Sequence, residues 1–414
     1  MIHINDKKNC CGCGACVQKC PRRCIEMSED NEGFLYPRVD QSKCVDCGLC
    51  EKVCPILSHN NERFPHKTLA AKNPNIADRE NSSSGGVFCM LAEYVLEKGG
   101  TVYGAEFDSD WSVKHGMTDN IEGVRRFMGS KYVQSRIGET YKLAEDFLKE
   151  GRKVLFSGTP CQIAGLNHYL KKEYENLLTV EVICHGVPSP LVWRNYLTAI
   201  QRPKGAGDGK NTVLASLNET SSIEGISFRD KLNGWKKYGF VVRYSDDQRE
   251  ADKFGLSSVD AKNEIREYHR DNLYMKGFLN NIYLRPSCYS CKFRKGMSGC
   301  DMALGDFWGI QNSMPDFDDD KGCGLVLVYT EKGDEAIKSI SFESRDADYK
   351  DALKGNMCIE RSVRPHPGRR WFYKKFPNYG VATINKTIER EQTLPVRAYR
   401  KANRAFSRLK LLFH

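Results

Sequence analysis

The chain has 414 residues, of which 40% are hydrophobic, so it is long enough for two or three domains with buried cores. No apolar run approaches the ~20 residues that a membrane-spanning helix needs, and the polar residues 1–9 lack the apolar stretch of an export signal. We therefore expect a cytoplasmic protein whose 18 cysteines stay reduced and serve largely as metal ligands.

The first element is a cysteine pattern, C-x2-C-x2-C-x3-C-P, that occurs twice at an offset of 34 residues. It is typical of a ferredoxin-type domain with two [4Fe–4S] clusters, in which the fourth cysteine of each run binds the other cluster. A zinc site or a disulfide knot would use a different spacing. Gly14 and Gly48 are expected to relieve crowding inside the two loops. The predicted ligands are Cys10, Cys13, Cys16 and Cys54 for one cluster and Cys44, Cys47, Cys50 and Cys20 for the other.

Residues 1–58 are thus the predicted ferredoxin domain, with a short strand at 34–39, and the polar segment 58–66 is a predicted linker. Beyond it, strands and helices alternate, and the composition of 201–224 indicates a surface excursion. The whole pattern predicts an α+β ferredoxin-like 2[4Fe–4S] domain followed by an α/β body with a mixed sheet. Strands are predicted at 68–71, 101–107, 111–117, 153–157, 179–183, 226–244 and 324–329, and helices at 85–98, 139–150 and 161–170.

The net charge of +10 is concentrated at the C-terminus, where residues 361–414 hold 14 Lys and Arg against 2 acidic residues. We therefore predict a basic C-terminal tail over residues 341–414. Within it, residues 396–413 have the pattern of a basic amphipathic helix. Such a helix would lie on an anionic membrane surface, on an acidic protein or on the body of the chain itself. No recognition motif accompanies the charge, so no nucleic-acid partner is expected.

Ten cysteines lie outside the repeat, and four of them have the context of metal ligands. Cys288 and Cys291 form a C-x2-C pair in a loop. Cys161 lies in the first turn of a predicted helix, where a thiolate is favoured, and Cys184 follows a predicted strand. The alternative is that Cys161 and Cys184 are buried core thiols, and Cys300 is a rival ligand. The remaining five are interpreted as structural: Cys11, Cys24, Cys89, Cys323 and Cys358.

Seven segments, in order, resemble the beta subunits of coenzyme F420-dependent hydrogenases and dehydrogenases, and the likeness covers residues 1 to about 330. The resemblance implies a body made of an N-terminal part, 67–150, and a part with a third cluster and a flavin site, 151–340. The segments are SSSGGVF (82–88), GSKYVQS (129–135), FSGTPCQIAGL (156–166), CHGVPSP (184–190), ISFRDKLNGW (226–235), LRPSCYSCKF (284–293) and LGDFWGI (304–310).

The same resemblance implies the site residues. Lys131 would place a positive charge near the flavin ring, or would lie in a solvated turn. Asp306 would orient the cluster loop or form a turn, and Arg229 and Lys231 would bind an anionic substrate or a phosphate. Serines 82–84 would either open a phosphate site or cap a helix. The implied third-cluster ligands are Cys161, Cys184, Cys288 and Cys291, and the implied contacts of FAD are Ser83, Ser84, Gly85, Gly86, Lys131, Tyr132, Gln134, Gly158 and Thr159.

The resemblance therefore implies an iron–sulfur flavoprotein oxidoreductase. It would exchange electrons with a ferredoxin or a redox partner subunit and with a deazaflavin-like or other small-molecule acceptor. One alternative is a non-catalytic electron-transfer subunit of a larger complex. Another is a redox sensor that uses cluster loss to switch an interaction through its basic tail. Independently of these alternatives, the tail would allow a cytoplasmic protein to associate with a membrane surface.

Overall fold

The computed structural model describes residues 1–58, 60–201, 223–244 and 264–392. The predicted helix at 396–413, and all but the ends of the predicted excursion at 201–224, lie outside the described residues. None of the helices within the described ranges is both long and apolar enough to cross a membrane.

The N-terminal domain has two short helices, α1 (Ala15–Gln18) and α2 (Leu49–Lys52), and an antiparallel hairpin of β1 (Ile25–Glu29) and β2 (Leu35–Val39). The N-cap residue of each helix is a glycine of the cysteine repeat. Gly14 and Gly48 have φ angles of 74° and 72°, and a Cβ at either position would meet nothing within 4 Å. The left-handed backbone, rather than the crowding that we predicted, therefore explains these glycines.

The body is built on an eight-stranded sheet with the order β13-β3-β12-β11-β7-β6-β4-β5. Four neighbouring strands, β11, β7, β6 and β4, are parallel, and the remaining pairings are antiparallel, which confirms the predicted mixed sheet. The strands are β3 (Lys67–Lys72), β4 (Thr101–Phe107), β5 (Val113–Thr118), β6 (Val154–Gly158), β7 (Leu177–Val182), β11 (Met302–Asp306), β12 (Gly324–Val328) and β13 (Glu343–Asp346).

Helices cover both faces of this sheet. Apolar residues of α4 and α11 pack on one face, and α6 and α7 contribute to the core on the other face, which also includes residues of the N-terminal domain such as Ala15 and Val53. The helices of the body are α3 (Ile76–Asn81), α4 (Val87–Leu96), α5 (Ile121–Val124), α6 (Thr140–Lys149), α7 (Pro160–Leu170), α8 (Pro190–Gln201), α9 (Leu273–Leu279), α10 (Ile310–Ser313), α11 (Glu331–Lys338), α12 (Tyr349–Gly355), α13 (Arg369–Tyr379) and α14 (Thr383–Gln392).

A second, smaller sheet is antiparallel and has the order β10-β9-β8, formed by β8 (Ile223–Asp230), β9 (Gly239–Tyr244) and β10 (Glu264–Tyr268). It shares an aromatic core with α8 and α9, in which Trp193, Phe228 and Tyr274 are almost fully buried. Phe372 of α13 and Ile384 of α14 complete this core.

Two predicted boundaries therefore need correction. The predicted tail does not begin at 341, because β13 pairs with β3 in the main sheet and α13 and α14 pack into the aromatic core. The predicted linker at 58–66 is attached to the body where it is described: the backbone N–H of Arg63 donates to the carbonyl of Lys295, and its guanidinium donates to that of Tyr329. Both segments are polar in composition, which hides their contribution to the fold.

Candidate metal centres and cofactor cavity

The first predicted ligand set lies where α1 and α2 meet. Burial raises the pKa of Cys16 to about 12, and the neighbouring thiols of Cys10 and Cys54 add to the shift. Burial also raises the pKa of Cys54, again with Cys10 nearby. Closely spaced thiols that resist ionisation without a metal are a suitable environment for an iron–sulfur cluster, because bound iron compensates their negative charge. Cys13, the fourth predicted ligand, faces the body and is described below.

The second predicted set surrounds a small cavity of its own. Cys20, Cys44, Cys47 and Cys50 all line it, and so does Cys24. The Sγ atoms of Cys20 and Cys24 lie 3.4 Å apart. Cys47 is the exposed member of the set, so this end of the domain faces solvent. Cys24, which we interpreted as structural, is thus a fifth thiol beside the four predicted ligands.

The third predicted set is assembled from three distant parts of the chain. Cys161 lies in the first turn of α7, directly after β6, and Cys184 follows β7, so both lie at the carboxyl edge of the parallel strands. Cys288 lies in the 3-10 helix Pro286–Ser290, and Cys291 follows it. Burial raises the pKa of Cys184, and the thiols of Cys288, Cys161 and Cys291 are among the groups that shift it. The structure therefore brings these four thiols together.

Two further cysteines, Cys300 and Cys358, differ in how close they lie to this set. Cys300 is fully buried, but Glu181, Asp301 and Arg63 are its charged neighbours, and no thiol is among the principal groups that shift its pKa. Cys358 lies closer, because its carbonyl and that of Cys184 both accept hydrogen bonds from the guanidinium of Arg294. The geometry thus favours Cys358 over Cys300 as a substitute ligand, although the sequence suggested Cys300.

The first and third sets adjoin each other across the contact between the N-terminal domain and the body. The thiol of Cys11 interacts with those of Cys13 and Cys161, which belong to the two sets. Gly165 of α7 makes this approach possible, since a Cβ there would lie 2.8 Å from the Cβ of Cys13. Cys11 was interpreted as structural, but its thiol occupies the space between two predicted clusters.

A large cavity opens at the carboxyl edge of the same strands. Its volume is about 880 Å³, which is within the usual range for small-molecule sites. Cys184 and Cys358 line it at the third cysteine set, and the loop before α4 lines it elsewhere. The hydroxyl of Thr159, another lining residue, lies 3.2 Å from Sγ of Cys161. One cavity therefore connects the third set with the predicted flavin-binding segments.

The N-terminus of α4 is open to this cavity. Its N-cap residue is Gly86, with φ at 80° and no side-chain capping bond. The predicted alternative, in which the serines cap the helix, does not apply, because their side chains bond elsewhere. Ser82 donates to the carbonyl of Asp78 and Ser84 to that of Cys323, while the hydroxyl oxygen of Ser83 accepts from the N–H of Ser130. An uncapped helix N-terminus suits a phosphate group.

Gly85 has a specific steric role beside this helix. A Cβ at Gly85 would lie 2.2 Å from the carbonyl oxygen of Ala71 and 2.4 Å from the nitrogen of Gly324. Only a glycine lets the loop approach β3 and β12 so closely. Elsewhere in the lining, Gly158 ends β6, and the ring of Tyr132 stacks on Phe278 with centroids 4.6 Å apart.

Two predicted flavin contacts, Lys131 in the cavity lining and Gln134 outside it, have other partners in the structure. The amino group of Lys131 donates to the carbonyls of Arg126, Met128 and Gly129 at 2.7–3.2 Å, and burial lowers its pKa to about 7. It stabilises its own turn and is not the free positive charge that the resemblance implied. Gln134 does not line the cavity. Its amide donates to the carbonyl of Cys11 and accepts from Arg285, which places it at the contact with the N-terminal domain.

Arg229 and Lys231, which were predicted to bind an anion, also have other partners in the structure. Arg229 forms two hydrogen bonds of 2.8 Å with the carboxylate of Asp306, which also accepts from the indole of Trp235. Asp306 thus pairs with a buried cation instead of orienting the cluster loop or forming a turn. Lys231 donates to the carbonyls of Arg79, Ser84 and Lys321. It thereby holds the serine loop, residues 82–84, in place.

His115 is a lining residue that sequence reasoning missed. Its Nε2 lies 3.1 Å from the carbonyl oxygen of Ser157, so Nε2 carries the proton of the neutral ring. Burial lowers the pKa of His115 to about 4, which keeps the ring neutral at physiological pH. Its Nδ1 is buried and has no partner among the described residues, so it can accept a hydrogen bond from a bound molecule.

Two buried arginines were also missed. Arg285 precedes Cys288 by three residues, and Arg294 follows Cys291 by three, so basic residues flanking the C-x2-C pair were the available signal. The segment from 354 to 364, which we assigned to the tail, lines the cavity and adds exposed Arg361 and Arg364 at its rim.

The residues present fit the cofactors that the resemblance implied. Three groups of cysteines offer the soft thiolate ligands that iron–sulfur clusters require. The cavity offers an open helix N-terminus for phosphate, an unpaired acceptor at His115 and a stacked aromatic wall at Tyr132 and Phe278 for a ring system. These features are consistent with a dinucleotide flavin, and they do not depend on the charge of Lys131.

Comparisons with known proteins agree with this architecture. Residues 151–346 match the family model for the C terminus of the coenzyme F420 hydrogenase/dehydrogenase beta subunit, and residues 9–56 match the 4Fe-4S dicluster domain. Just under half of the chain, residues 151–346, is thus similar to this family of oxidoreductase beta subunits, and the chain is an iron–sulfur electron-transfer protein with an N-terminal dicluster domain.

Two other comparisons add less. A solved structure of a xenon-derivatised F420-reducing [NiFe] hydrogenase complex from Methanosarcina barkeri contains a chain that is similar at 16% identity. The match covers 80% of this chain and 94% of that chain with a TM-score of 0.43, which is too weak to bear on function. A search of curated proteins gave no match.

Proposed function

We propose that the chain is an iron–sulfur flavoprotein oxidoreductase that exchanges electrons between a protein partner and a small molecule in the cavity. The observation that carries the proposal is the continuous cavity of about 880 Å³, lined by Cys184 of the third cysteine set and by the open N-terminus of α4. Clusters carry single electrons and a flavin carries two, so together they would connect one-electron and two-electron partners.

The chain's own residues have distinct tasks in this proposal. Cys161, Cys184, Cys288 and Cys291 would hold the third cluster, and the amides at the start of α4 would bind the cofactor's phosphates. His115 would accept a hydrogen bond from the cofactor through Nδ1. Arg361 and Arg364 at the rim favour an anionic molecule at the entrance.

The partner protein would approach the N-terminal domain. The second set includes the exposed Cys47, and exposed Val45 lies beside it, so electrons can enter or leave at this end. A ferredoxin or a partner subunit would serve as the one-electron partner, and a deazaflavin-like or other reducible ring would serve as the two-electron partner. Two electrons and one proton then correspond to each hydride that the small molecule gains.

The proposal is tested by anaerobic purification with determination of iron, sulfide and flavin. We expect about one FAD per chain, either as isolated or after reconstitution, and reoxidation of the reduced flavin by a specific acceptor in a spectral screen. A protein that binds neither FAD nor FMN would contradict the proposal.

A second candidate function is a non-catalytic electron-transfer subunit, because the matching family model is that of a beta subunit. It would be favoured if the reduced protein passes electrons only to a co-purifying catalytic chain and to no small molecule. Reoxidation by a small acceptor in the isolated chain would exclude it.

A further inference from the structure

Arg285 is the largest buried cation at the contact between the N-terminal domain and the body. Its side chain is fully buried, with 0% of the residue exposed. Its Nε donates to the carbonyl of Cys10 at 2.8 Å, and one terminal nitrogen donates to the carbonyl of Leu35 at 2.8 Å. The other terminal nitrogen donates to the side-chain oxygen of Gln134 at 3.0 Å. All of these acceptors are neutral.

Among the described residues, no carboxylate compensates this charge. Arg285 forms no ion pair with Asp or Glu within those ranges, in contrast to Arg229, which pairs with Asp306. Among the groups around Arg285 that can become negative are Cys10, Tyr36, Cys11 and Cys288. A buried guanidinium without a counter-ion is costly, so these thiolates are its natural partners.

The position of Arg285 connects two predicted clusters. Its guanidinium lies 3.6 Å from Sγ of Cys10, a predicted ligand of the first set. Its carbonyl accepts the N–H of Cys288, a predicted ligand of the third set, at 2.9 Å. Gly12 permits the approach, since a Cβ there would lie 2.9 Å from the guanidinium.

We infer that Arg285 is a positioning residue that stabilises the reduced forms of both the first and the third cluster and thereby supports electron transfer between them. The inference rests on the third cluster of the proposed function. A cluster with four thiolates gains one negative charge when it takes up one electron. A nearby fixed cation and a hydrogen bond to a ligand sulfur therefore raise its reduction potential.

Arg294 provides a matched comparison. It is also buried, but it lies beside the third set only, where it donates to the carbonyls of Cys184 and Cys358. Its charge should therefore act on one cluster, whereas that of Arg285 should act on two. The second set, formed by Cys20, Cys44, Cys47 and Cys50, has neither arginine among the groups described at its cavity.

The experiment is an anaerobic redox titration followed by electron paramagnetic resonance, with iron content determined for each protein. The variant Cys47→Ser identifies the signal of the second cluster. In Arg285→Gln we expect the potentials of the first and third clusters to become more negative while that of the second stays unchanged. Arg285→Lys should retain most of the wild-type values, and Arg294→Gln should shift only the third cluster.

If Arg285→Gln does not fold, Gln134→Glu offers a second route, because it places a carboxylate against the same guanidinium and should shift both potentials in the same direction. Unchanged potentials in a folded variant with full iron content would overturn this inference but would leave the proposed function standing. A wild-type content near 8 irons, as expected for two clusters, would instead overturn the proposed third cluster and the part of the inference that depends on it.

Discussion

Arg229 and Asp306 form a doubly hydrogen-bonded ion pair in the cavity wall, with both nitrogen–oxygen distances at 2.8 Å. The side chain of Arg229 is 3% exposed and that of Asp306 is 15% exposed, so the pair is largely withdrawn from water. It joins the small sheet, through β8, to the end of β11 in the main sheet. The pair therefore fixes two sheets relative to each other beside the predicted cofactor.

Removing one member of this pair should lower the free energy of unfolding substantially. Arg229→Met leaves the Asp306 carboxylate without its main partner, and loss of one member of a buried pair typically costs about 3–5 kcal/mol. We expect that decrease in the free energy of unfolding, measured by anaerobic denaturant titration. The double variant Arg229→Met/Asp306→Leu should recover part of it, because it removes both charges.

The exposed pair of Arg345 and Asp316, with side chains 44% and 69% exposed, is the control. Arg345→Met should change the free energy of unfolding by less than about 1 kcal/mol. Equal losses at the two sites would contradict the role of burial in this prediction.

The close approach of Gly85 to the sheet supports a second prediction. Gly85→Ala forces a methyl group against the backbone of β3 and β12 and should displace the serine loop at the start of α4. We expect at least a tenfold weaker binding of FAD, since displacement of the loop would remove the amides that face the phosphates. The measurement is a fluorescence titration of the cofactor-free protein with FAD.

Gly99→Ala is the matched control for this substitution. Unlike Gly85, Gly99 has a positive φ of 69°, so the substitution strains its backbone, but nothing lies within 4 Å of a Cβ there. The control should lose about 1 kcal/mol of stability from backbone strain and keep its affinity for FAD. Equal affinities of the two variants would show that the loop before α4 does not contact the cofactor.

The third cysteine set gives a prediction in iron content. Three cubane clusters correspond to about 12 irons per chain. Cys184→Ser should reduce this number by about four, because the thiols of Cys288, Cys161 and Cys291 are all close enough to Cys184 to raise its pKa. Cys300→Ser should keep the wild-type content, since Glu181 and not a thiol is its principal neighbour. Loss of iron in Cys300→Ser with retention in Cys184→Ser would reverse the ligand assignment.

The sequence was most informative where spacing alone determines geometry. The twofold C-x2-C-x2-C-x3-C-P pattern identified the N-terminal domain, and alternating apolar segments identified the mixed sheet. It was least informative where the partner of a side chain lies far along the chain. Lys231 was interpreted as a free charge, yet it is surrounded by the distant carbonyls of Arg79, Ser84 and Lys321. Lys131 was interpreted in the same way, and the carbonyls that surround it belong to its own turn, whose conformation the composition does not show.

The C-terminal boundary was wrong for a related reason. Basic residues dominate the composition after 341, but a few apolar positions such as Phe372 and Phe376 decide the packing of α13. Composition averages over both faces of a helix, whereas burial depends on one face only. The small strand β13 is polar throughout and could be recognised only from its pairing with β3.

The last prediction concerns pH. Because burial lowers the pKa of His115 from 6.5 to about 4, the folded protein keeps this ring neutral where the unfolded chain takes up a proton. The stability that His115 contributes is therefore present above pH 6.5 and declines as the pH falls towards 4. One proton of difference corresponds to about 1.4 kcal/mol per pH unit. Between pH 7.5 and 5.5 we expect His115 to account for a loss on the order of 1.4 kcal/mol.

His115→Gln should remove this component while its amide can still donate to the carbonyl of Ser157. The comparison is the change in the free energy of unfolding between pH 7.5 and 5.5, measured in the variant and in the wild type. The same pH dependence in His115→Gln and wild type would mean that the ring is accessible to protons in the folded protein. Nδ1 would then not be a dedicated acceptor for the cofactor.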